Sequence, residues 1–320
     1  MAIPVILDVD PGSDDAVAMM LAIKSDLIDL KAVCTVAGNK SIEHTTENAL
    51  RLIQKMNVDV PVYKGCGRPV FMHLLDLPEP ANNKIDIERD GQTIQMHDDY
   101  LKLEPATIEH ESVPAAAFYV QYLREATEPV TIILTGPVSN LALALMLDAS
   151  IVKNISEVII MGGGDALSNI TSSAEANIYH DPHALAWILN SGVRFTMVPL
   201  DATHMAPVTA ETCRELREIN TFSTVFAADL VEQRMQVYTE TDSFVDEAPV
   251  HDALAVCALI NPDVLTDCPR VHMDVETMPG KAFGQTIVDH RLQADDLNCF
   301  FALGADKTLF NEMLKDILAR

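Results

Sequence analysis

Apolar and polar positions alternate along the chain in blocks that predict buried strands separated by helices. Each predicted strand is a short apolar run rich in β-branched residues, which is typical of a parallel strand covered on both faces. The strands predicted up to Val198 are Val5–Val9, Leu30–Val36, Val130–Leu134, Glu157–Met161 and Phe195–Val198. The helices predicted with them are Asp14–Ser25, Ser41–Met56, Val113–Glu125, Pro137–Leu147 and Pro182–Asn190. This alternation predicts right-handed crossovers and a doubly wound, mostly parallel open sheet of the α/β class.

The part of the chain after Thr209 is predicted to be mainly helical. The helices predicted there are Thr209–Ile219, Thr221–Tyr238, Val250–Ile260 and Lys307–Leu318, and shorter β-like runs lie at Val271–Val275, Gln285–Val288 and Cys299–Leu303. The sequence contains no internal repeat, no low-complexity segment and no clear linker. A chain of this length can form one large α/β unit, so we predict one domain over residues 1–320.

The end of the first predicted strand carries four carboxylates within eight residues, in the run Asp8-Val9-Asp10-Pro11-Gly12-Ser13-Asp14-Asp15. Like charges this close destabilise one another unless a cation or strong donors compensate them. Asp10 would end the strand, while Asp14 and Asp15 would open a helix whose dipole favours negative charge. Ligands of open α/β sheets bind at this edge, and oxygen ligands suit Ca²⁺ or Mg²⁺ better than Zn²⁺. A solvated, capped loop is the alternative.

Residues 65–112 interrupt the strand–helix alternation. The segment contains several prolines, the pair Asn82-Asn83 and many charges. Irregular stretches of this length inside a compact domain are usually functional or disordered. We predict a lid over the acidic loop, with a surface excursion as the alternative. His73 and His97, which lie in this segment, are predicted to be solvated rather than catalytic.

The overall charge narrows the possible partners. The chain has 22 basic and 47 acidic residues and a formal net charge of −25, which argues against nucleic acid or an anionic membrane as a partner. No apolar run approaches the length of a membrane span, and the N-terminus lacks the basic region of a signal peptide. The six cysteines are scattered without a C-x-x-C pair, which is typical of reduced thiols. We therefore predict a cytoplasmic location and neither a disulfide framework nor a zinc site.

Polar groups also follow the other predicted strands. Asn39 follows the second strand, and the triple glycine Gly162–Gly164 follows the fourth. The triple glycine lacks the G-x-G-x-x-G spacing of a phosphate loop, so a flexible turn is the better interpretation. Asn169, Glu175 and Asn177 have a spacing that suits a hydroxyl-rich ligand such as a sugar, with an ordinary polar loop as the alternative.

Taken together, these blocks resemble the nucleoside hydrolases, above all the inosine–uridine-preferring and pyrimidine-preferring members. The matching blocks are Asp8–Asp15, Asn39, Thr135-Gly136-Pro137, Met161-Gly162-Gly163, Asn169–Asn177 and Val250-His251-Asp252. They occur in the family's order from the first strand to the last helix. The resemblance implies an enzyme that uses Ca²⁺ to hydrolyse the N-glycosidic bond of ribonucleosides, and a homodimer or homotetramer.

The resemblance also implies a role for each matching residue. The Ca²⁺ ligands would be the side chains of Asp10, Asp15 and Asp252 and the backbone carbonyl of Thr135. Asp10 would take a proton from a Ca²⁺-bound water, the nucleophile. His251 would donate a proton to the leaving base and would be kept protonated by the negative field. The ribose-binding residues would be Asp14, Asn39, Asn169, Glu175 and Asn177, with Met161 lining the sugar pocket.

The residues that contact the base are harder to assign. Members of this family usually carry a His-Gly-x-x-Gly loop, which the segment Leu74–Tyr100 lacks, and Ala176 stands where they usually have an aromatic residue. The choice between purine and pyrimidine therefore stays open. A second base-recognition region is placed around Gln233, Gln236 and Tyr238, and Tyr238 is a further candidate for the proton donor.

Two other functions fit parts of the sequence. A haloacid-dehalogenase-like phosphohydrolase would also place Asp8 and Asp10 after a strand. That class requires Thr or Val where this chain has Gly12, and no convincing distal Lys–Asp pair is found. A non-catalytic protein that binds Ca²⁺ or ribose is consistent with the altered loop. The complete set of metal ligands and His251 argue against it.

Overall fold

The computed structural model describes residues 2–72, 86–89, 92–240, 244–291 and 297–320. Its strands are β1 Ile3–Val9, β2 Ile28–Thr35, β3 Val62–Lys64, β4 Asp86–Arg89, β5 Gln92–Gln95, β6 Val130–Leu134, β7 Ile155–Met161, β8 Phe195–Val198, β9 Val208–Thr209, β10 Glu247–Ala248, β11 Arg270–Val275, β12 Thr286–Asp289 and β13 Cys299–Phe301. Its α-helices are α1 Ser13–Lys24, α2 Ile42–Met56, α3 Ala115–Glu125, α4 Ser139–Leu147, α5 Ala176–His180, α6 Pro182–Leu189, α7 Leu200–Thr203, α8 Ala210–Ile219, α9 Phe222–Glu240, α10 His251–Ile260 and α11 Lys307–Leu318.

Within the described ranges, nine strands form one sheet in the order β12-β11-β13-β8-β7-β6-β1-β2-β3. Neighbouring strands from β13 to β3 run parallel, and β11 is antiparallel to both β12 and β13. The predicted α/β class with a mostly parallel open sheet is confirmed. The helical C-terminal portion is also present, as α8, α9, α10 and α11.

Strand β1 lies where the strand order reverses. Its partners are β2 on one side and β6 on the other, and Asp8 is level with Cys34 and Leu134. Loops that leave parallel strands at such a point diverge and open a crevice at the carboxyl edge of the sheet. The acidic loop after β1 therefore faces this crevice.

Helices cover both faces of the sheet. Side chains of β1 alternate between the two apolar layers, with Val5, Leu7 and Val9 in one and Ile6 in the other. The first layer contains the apolar faces of α1, α9, α10 and α11, and the second contains those of α3, α4 and α6. Burial on both faces explains why the strands appear in the sequence as continuous apolar runs.

The sequence predicts the ends of the long elements to within two residues. It misses β3, the hairpin β4–β5, α5, α7 and the pair β9–β10. Each of these is too short to show a clear hydrophobic period.

The part of residues 65–112 that the structure describes contains the hairpin β4–β5, which packs against α9. His73 and its neighbours up to residue 85 lie outside the described residues, so the lid stays a prediction. None of the described helices has the length and apolar composition needed to cross a membrane.

Candidate active site

A cavity of about 280 Å³ opens at the carboxyl edge of the sheet, beside the loop after β1. Its lining includes amide and carboxyl groups, among them Asn39, Asn169, Glu175 and Asn177. It also includes aromatic and imidazole rings, among them His97, His204, Tyr238 and His251. We call the first set the polar wall and the second set the ring-bearing wall.

Asp15 is fixed by hydrogen bonds from several segments. Its Oδ1 accepts the hydroxyl proton of Thr135 at 2.8 Å, and its Oδ2 accepts from the backbone of Gly12 at 3.1 Å. The side-chain amide of Asn39 donates to the same Oδ2 at 3.2 Å. Asp15 also lies in the first turn of α1, where free N–H groups favour a carboxylate. The carboxyl group therefore holds one position relative to the ends of β1 and β6.

Asp10 is fully buried, and its two carboxyl oxygens differ. Oδ2 accepts the backbone N–H of Asn39 at 2.6 Å, whereas Oδ1 has no hydrogen-bond partner among the described residues. A Cβ at Gly38 would lie 2.1 Å from Oδ2, and one at Gly136 would lie 2.8 Å from Oδ1. The two glycines leave room for this carboxyl group. A buried oxygen without a partner is costly unless it serves a ligand or a cation.

Carboxylate oxygens of Asp14, Asp15 and Asp252 lie within 4.8 Å of one another, the closest such grouping in the described part of the chain. Burial, and after it the charges of neighbouring carboxylates, raise the pKa of Asp252 well above its ordinary value and that of Asp15 to about 6. Burial and then Asp15 also raise the pKa of Asp10. A hard divalent cation fits this all-oxygen site, because it would offset the repulsion. The predicted ligand Asp10 lies outside this closest grouping, which includes Asp14 instead.

The predicted ribose-binding residues line the cavity and also hold its walls together. Asn177 donates its side-chain amide to the carbonyl of Thr135 at 2.8 Å and to that of Met161 at 3.1 Å. Glu175 accepts the backbone N–H of Asn177 at 3.0 Å, and Asn169 accepts that of Ala176 at 2.9 Å. Burial raises the pKa of Glu175 to about 7, although backbone N–H groups partly offset it.

The triple glycine after β7 forms a turn beside this wall. Gly163 has φ +72°, which side chains rarely adopt, and its N–H donates to Glu175 at 2.9 Å. The glycines therefore allow this turn to form, and the N–H of Gly163 helps to hold Glu175 in position.

His251 has a hydrogen-bond partner on each ring nitrogen. Nδ1 lies 2.7 Å from the hydroxyl of Thr203, and Nε2 lies 3.1 Å from the hydroxyl of Tyr238. The hydroxyl of Thr203 also lies 3.3 Å from the carbonyl of Leu200, which gives its proton a second acceptor. In the neutral tautomer that carries its proton on Nδ1, Thr203 accepts from Nδ1, and Nε2 accepts from Tyr238.

The expectation that His251 is kept protonated is wrong. Burial, and then the positive charge of Arg234, lower the pKa of His251 well below its ordinary value, against the opposing charge of Asp14. The acidic residues near His251 are visible in the sequence. The packing of Arg234 against them is not.

His97 lines the cavity and only 16% of its side chain is exposed, so the prediction that it is solvated is wrong. Its Nδ1 accepts the backbone N–H of Ser13 at 3.1 Å, and burial lowers its pKa to about 4. A Cβ at Gly12 would lie 2.1 Å from this nitrogen, so the ring sits directly on the glycine. The hairpin β4–β5 brings His97 here from a distant part of the sequence, and no local pattern marks it.

Arg234 is a second residue that the sequence does not mark. Its side chain is 2% exposed and lies 3.0 Å from a carboxylate oxygen of Asp14. Burial opposes ionisation of Asp14, but nearby positive charge, chiefly that of Arg234, outweighs it, so the pKa of Asp14 is lowered. Tyr238, one turn further along α9, also lines the cavity.

Gln233 and Gln236 do not line the cavity, which corrects their predicted place in base recognition. Gln233 donates to the carbonyl of Gln95 at 2.9 Å and accepts from Lys102 at 2.9 Å. Gln236 is exposed on α9. The helix presents Arg234 and Tyr238 to the cavity in their place.

Asp8 is buried near the end of β1, and its raised pKa predicts a stability that depends on pH. Burial raises its pKa to about 7, although hydrogen bonds from Tyr119 and Asn140 lower it. The folded state therefore retains a proton that the unfolded state loses near pH 4, and this stabilisation disappears as the pH rises to about 7. Asp8→Asn should remove this dependence, which amounts to roughly 4 kcal/mol. Thermal unfolding of both proteins in EDTA from pH 4 to 8 measures it. A constant difference between them would contradict the assignment.

Comparison with known proteins agrees with this geometry. The family model for inosine-uridine preferring nucleoside hydrolases matches residues 5–312. The chain is 33% identical over 320 residues to the pyrimidine-specific ribonucleoside hydrolase RihA of Escherichia coli O1:K1 / APEC, and 99% of each is covered.

Solved structures extend the comparison. The purine-preferring ribonucleoside hydrolase from Gardnerella vaginalis superposes with a TM-score of 0.86 at 26% identity, over 99% of this chain and 98% of that one. The plant nucleoside hydrolase PpNRh1 shares the fold, with a TM-score of 0.86 at 24% identity over 100% of this chain and 99% of that one. The resemblance inferred from the motifs is thereby confirmed. With its acidic cavity at the carboxyl edge of a parallel sheet, the chain belongs to the family of inosine–uridine preferring nucleoside hydrolases.

Proposed function

We propose that this nucleoside hydrolase uses Ca²⁺ to cleave the N-glycosidic bond of ribonucleosides into free base and ribose. The observation that carries the proposal is the group of buried carboxylates after β1, completed by Asp252 at the start of α10. The same cavity is lined by the amides and carboxylates that suit a ribose.

The residues proposed to hold Ca²⁺ are Asp10, Asp15 and Asp252 through their side chains and Thr135 through its carbonyl. All four offer oxygen, which hard cations prefer. Asp14 is close enough to join them, but one of its oxygens faces the guanidinium of Arg234 at 3.0 Å. We therefore assign Asp14 to a ribose hydroxyl. When bound, a divalent cation lowers the pKa of water in the site and offsets the charges of the carboxylates.

Asp10 is the proposed general base. Its Oδ1 has no hydrogen-bond partner among the described residues, so it is available to accept a proton from the attacking water. The N–H of Asn39 holds the other oxygen at 2.6 Å. This contact fixes the direction in which Oδ1 points.

The remaining polar residues bind the sugar in this proposal. Cleavage breaks the bond between ribose and base, and the electron pair leaves with the base. The positive charge that develops on the ribosyl group is stabilised by nearby carboxylates. The residues assigned to ribose are Asp14, Asn39, Asn169, Glu175 and Asn177, with Met161 lining the pocket.

His251 and Tyr238 are proposed to supply the proton for the leaving base. Because His251 is neutral at rest, its Nε2 has to take up a proton from solvent before the ring can donate one. The hydroxyl of Tyr238 lies 3.1 Å from Nε2. His251 remains the donor to the base, as the family resemblance implies, and Tyr238 is the further candidate for the donor.

We also propose that residues 1–320 form a single domain and that the protein assembles as a homodimer or a homotetramer. A chain with a net charge of −25 needs a specific interface to overcome its own repulsion.

A substrate panel separates this function from the two alternatives. We expect free ribose from ribonucleosides such as uridine, cytidine and inosine, and no phosphate from p-nitrophenyl phosphate. EDTA should abolish ribose release, and CaCl₂ should restore it. Phosphate release without ribose would identify a phosphohydrolase. Saturable binding of a nucleoside without turnover would identify a non-catalytic binding protein.

A further inference from the structure

One positive charge in the cavity belongs to the protein itself, the guanidinium of Arg234. The group is almost fully buried and lies 3.0 Å from an oxygen of Asp14. It donates to the hydroxyl of Ser13 at 3.0 Å and, through Nε, to the carbonyl of Pro249 at 3.0 Å. An arginine is always charged and offers several donors in a fixed plane.

These contacts join three segments that line the cavity. Asp14 and Ser13 belong to the start of α1, and Pro249 immediately precedes the turn that leads to His251 and Asp252. Ser13 in turn donates its hydroxyl to the carbonyl of Met96 at 3.3 Å, next to His97. Arg234 therefore connects the acidic loop, the segment after β5 and the start of α10.

The charge of Arg234 has two opposite consequences. Asp14, Asp15 and Asp252 are buried within 4.8 Å of one another, and their repulsion works against the folded site when no cation is bound. A guanidinium beside Asp14 offsets part of this repulsion. The same positive charge repels a divalent cation that enters the group.

We propose that Arg234 is a resident counter-ion and positioning residue, which keeps the acidic group assembled without a metal ion and weakens the binding of one. This inference rests on the proposed function for the place of the metal ion. The competing explanation is that Arg234 only links the three segments by hydrogen bonds.

Two substitutions separate charge from hydrogen bonding. Arg234→Gln keeps a donor but removes the charge, and Arg234→Lys keeps the charge but loses the planar set of donors. We expect Arg234→Gln to bind Ca²⁺ about tenfold or more tightly than the natural protein, because the repulsion is gone. Arg234→Lys should bind Ca²⁺ with nearly unchanged affinity. Calorimetric titration of EDTA-stripped, dialysed protein with CaCl₂ measures both.

Thermal unfolding gives a second readout. In EDTA, Arg234→Gln should unfold at a lower temperature than Arg234→Lys, and CaCl₂ should raise its unfolding temperature more than that of the natural protein. The double variant Asp14→Asn with Arg234→Gln should regain stability in EDTA. It removes the Asp14 carboxylate, which Arg234→Gln alone leaves without a counter-ion. Arg124→Met is a matched control, since this arginine is 61% exposed and pairs with Asp148 away from the cavity.

Unchanged Ca²⁺ affinity in Arg234→Gln, with equal destabilisation in EDTA and in CaCl₂, would overturn the proposal in favour of a hydrogen-bonding link. If Arg234→Gln folds only with CaCl₂, the counter-ion role is supported. If Arg234→Gln folds neither in EDTA nor in CaCl₂, the variant Arg234→Lys provides the test. A stable Arg234→Lys protein supports the counter-ion role, and an unfolded one contradicts it. If the natural protein binds no Ca²⁺, the proposed metal site fails, while the comparison in EDTA still tests the counter-ion.

Discussion

Asp10→Ala is expected to lower ribose release by roughly 10²–10⁴-fold or more, while the protein stays folded. The change removes the proposed proton acceptor and one proposed cation ligand together. It also removes a buried carboxyl group whose pKa is raised by burial and by Asp15, so the fold loses a source of repulsion. Initial rates of ribose release with saturating CaCl₂, together with thermal unfolding in EDTA, test both parts.

Asp29→Ala provides the control for loss of one acidic side chain. Asp29 is exposed near the start of β2, at the opposite edge of the sheet. Its substitution should leave the rate of ribose release unchanged. Near-normal turnover by Asp10→Ala in the presence of a chelator would contradict the roles assigned to Asp10.

His251→Ala is expected to lower turnover of natural ribonucleosides by roughly 10²–10⁴-fold, the usual range for general acid catalysis. The loss should be much smaller for a nitrophenyl riboside, because its leaving group departs without a proton. Tyr238→Phe should show a smaller loss on natural substrates, because its hydroxyl only contacts Nε2 at 3.1 Å while His251 donates the proton. The measurement is kcat for both substrate types with each variant.

The size of the difference between substrates decides the role of His251. Equal losses on natural and activated substrates would remove the proton-donor role. They would favour an imidazole that only packs against the base or orients the neighbouring Asp252. A loss confined to natural substrates in His251→Ala but absent from Tyr238→Phe would leave His251 as the donor, and the reverse pattern would make Tyr238 the donor.

The sequence predicts the fold and one wall of the cavity because those features follow from local patterns. Continuous apolar strands indicate a buried parallel sheet, and β1 lies at its switch point. Asp15 and Asn39 come shortly after β1 and β2, which end at the same edge, so their approach is expected once the sheet is known. Short elements such as α5 and the hairpin β4–β5 are not predicted, because their sequences show no clear hydrophobic period.

The ring-bearing wall is not predicted because it depends on tertiary packing. His97 reaches the cavity only because the hairpin β4–β5 docks on α9, where Gln233 holds the carbonyl of Gln95. Arg234 is one of many charged residues in the sequence, and nothing local shows that its side chain is buried against Asp14. The error about the protonation of His251 has the same origin, since burial of the ring, and after it the charge of a distant arginine, lower its pKa.

The most direct test of the proposed chemistry is a titration of EDTA-stripped protein with CaCl₂ in which ribose release and bound Ca²⁺ are measured together. The acidic group after β1 predicts that turnover is absent without the cation and rises in proportion to one Ca²⁺ bound per chain. Asp252→Asn should abolish both signals in parallel. Full ribose release by stripped protein in excess chelator would contradict the proposal that a cation held by these carboxylates is required.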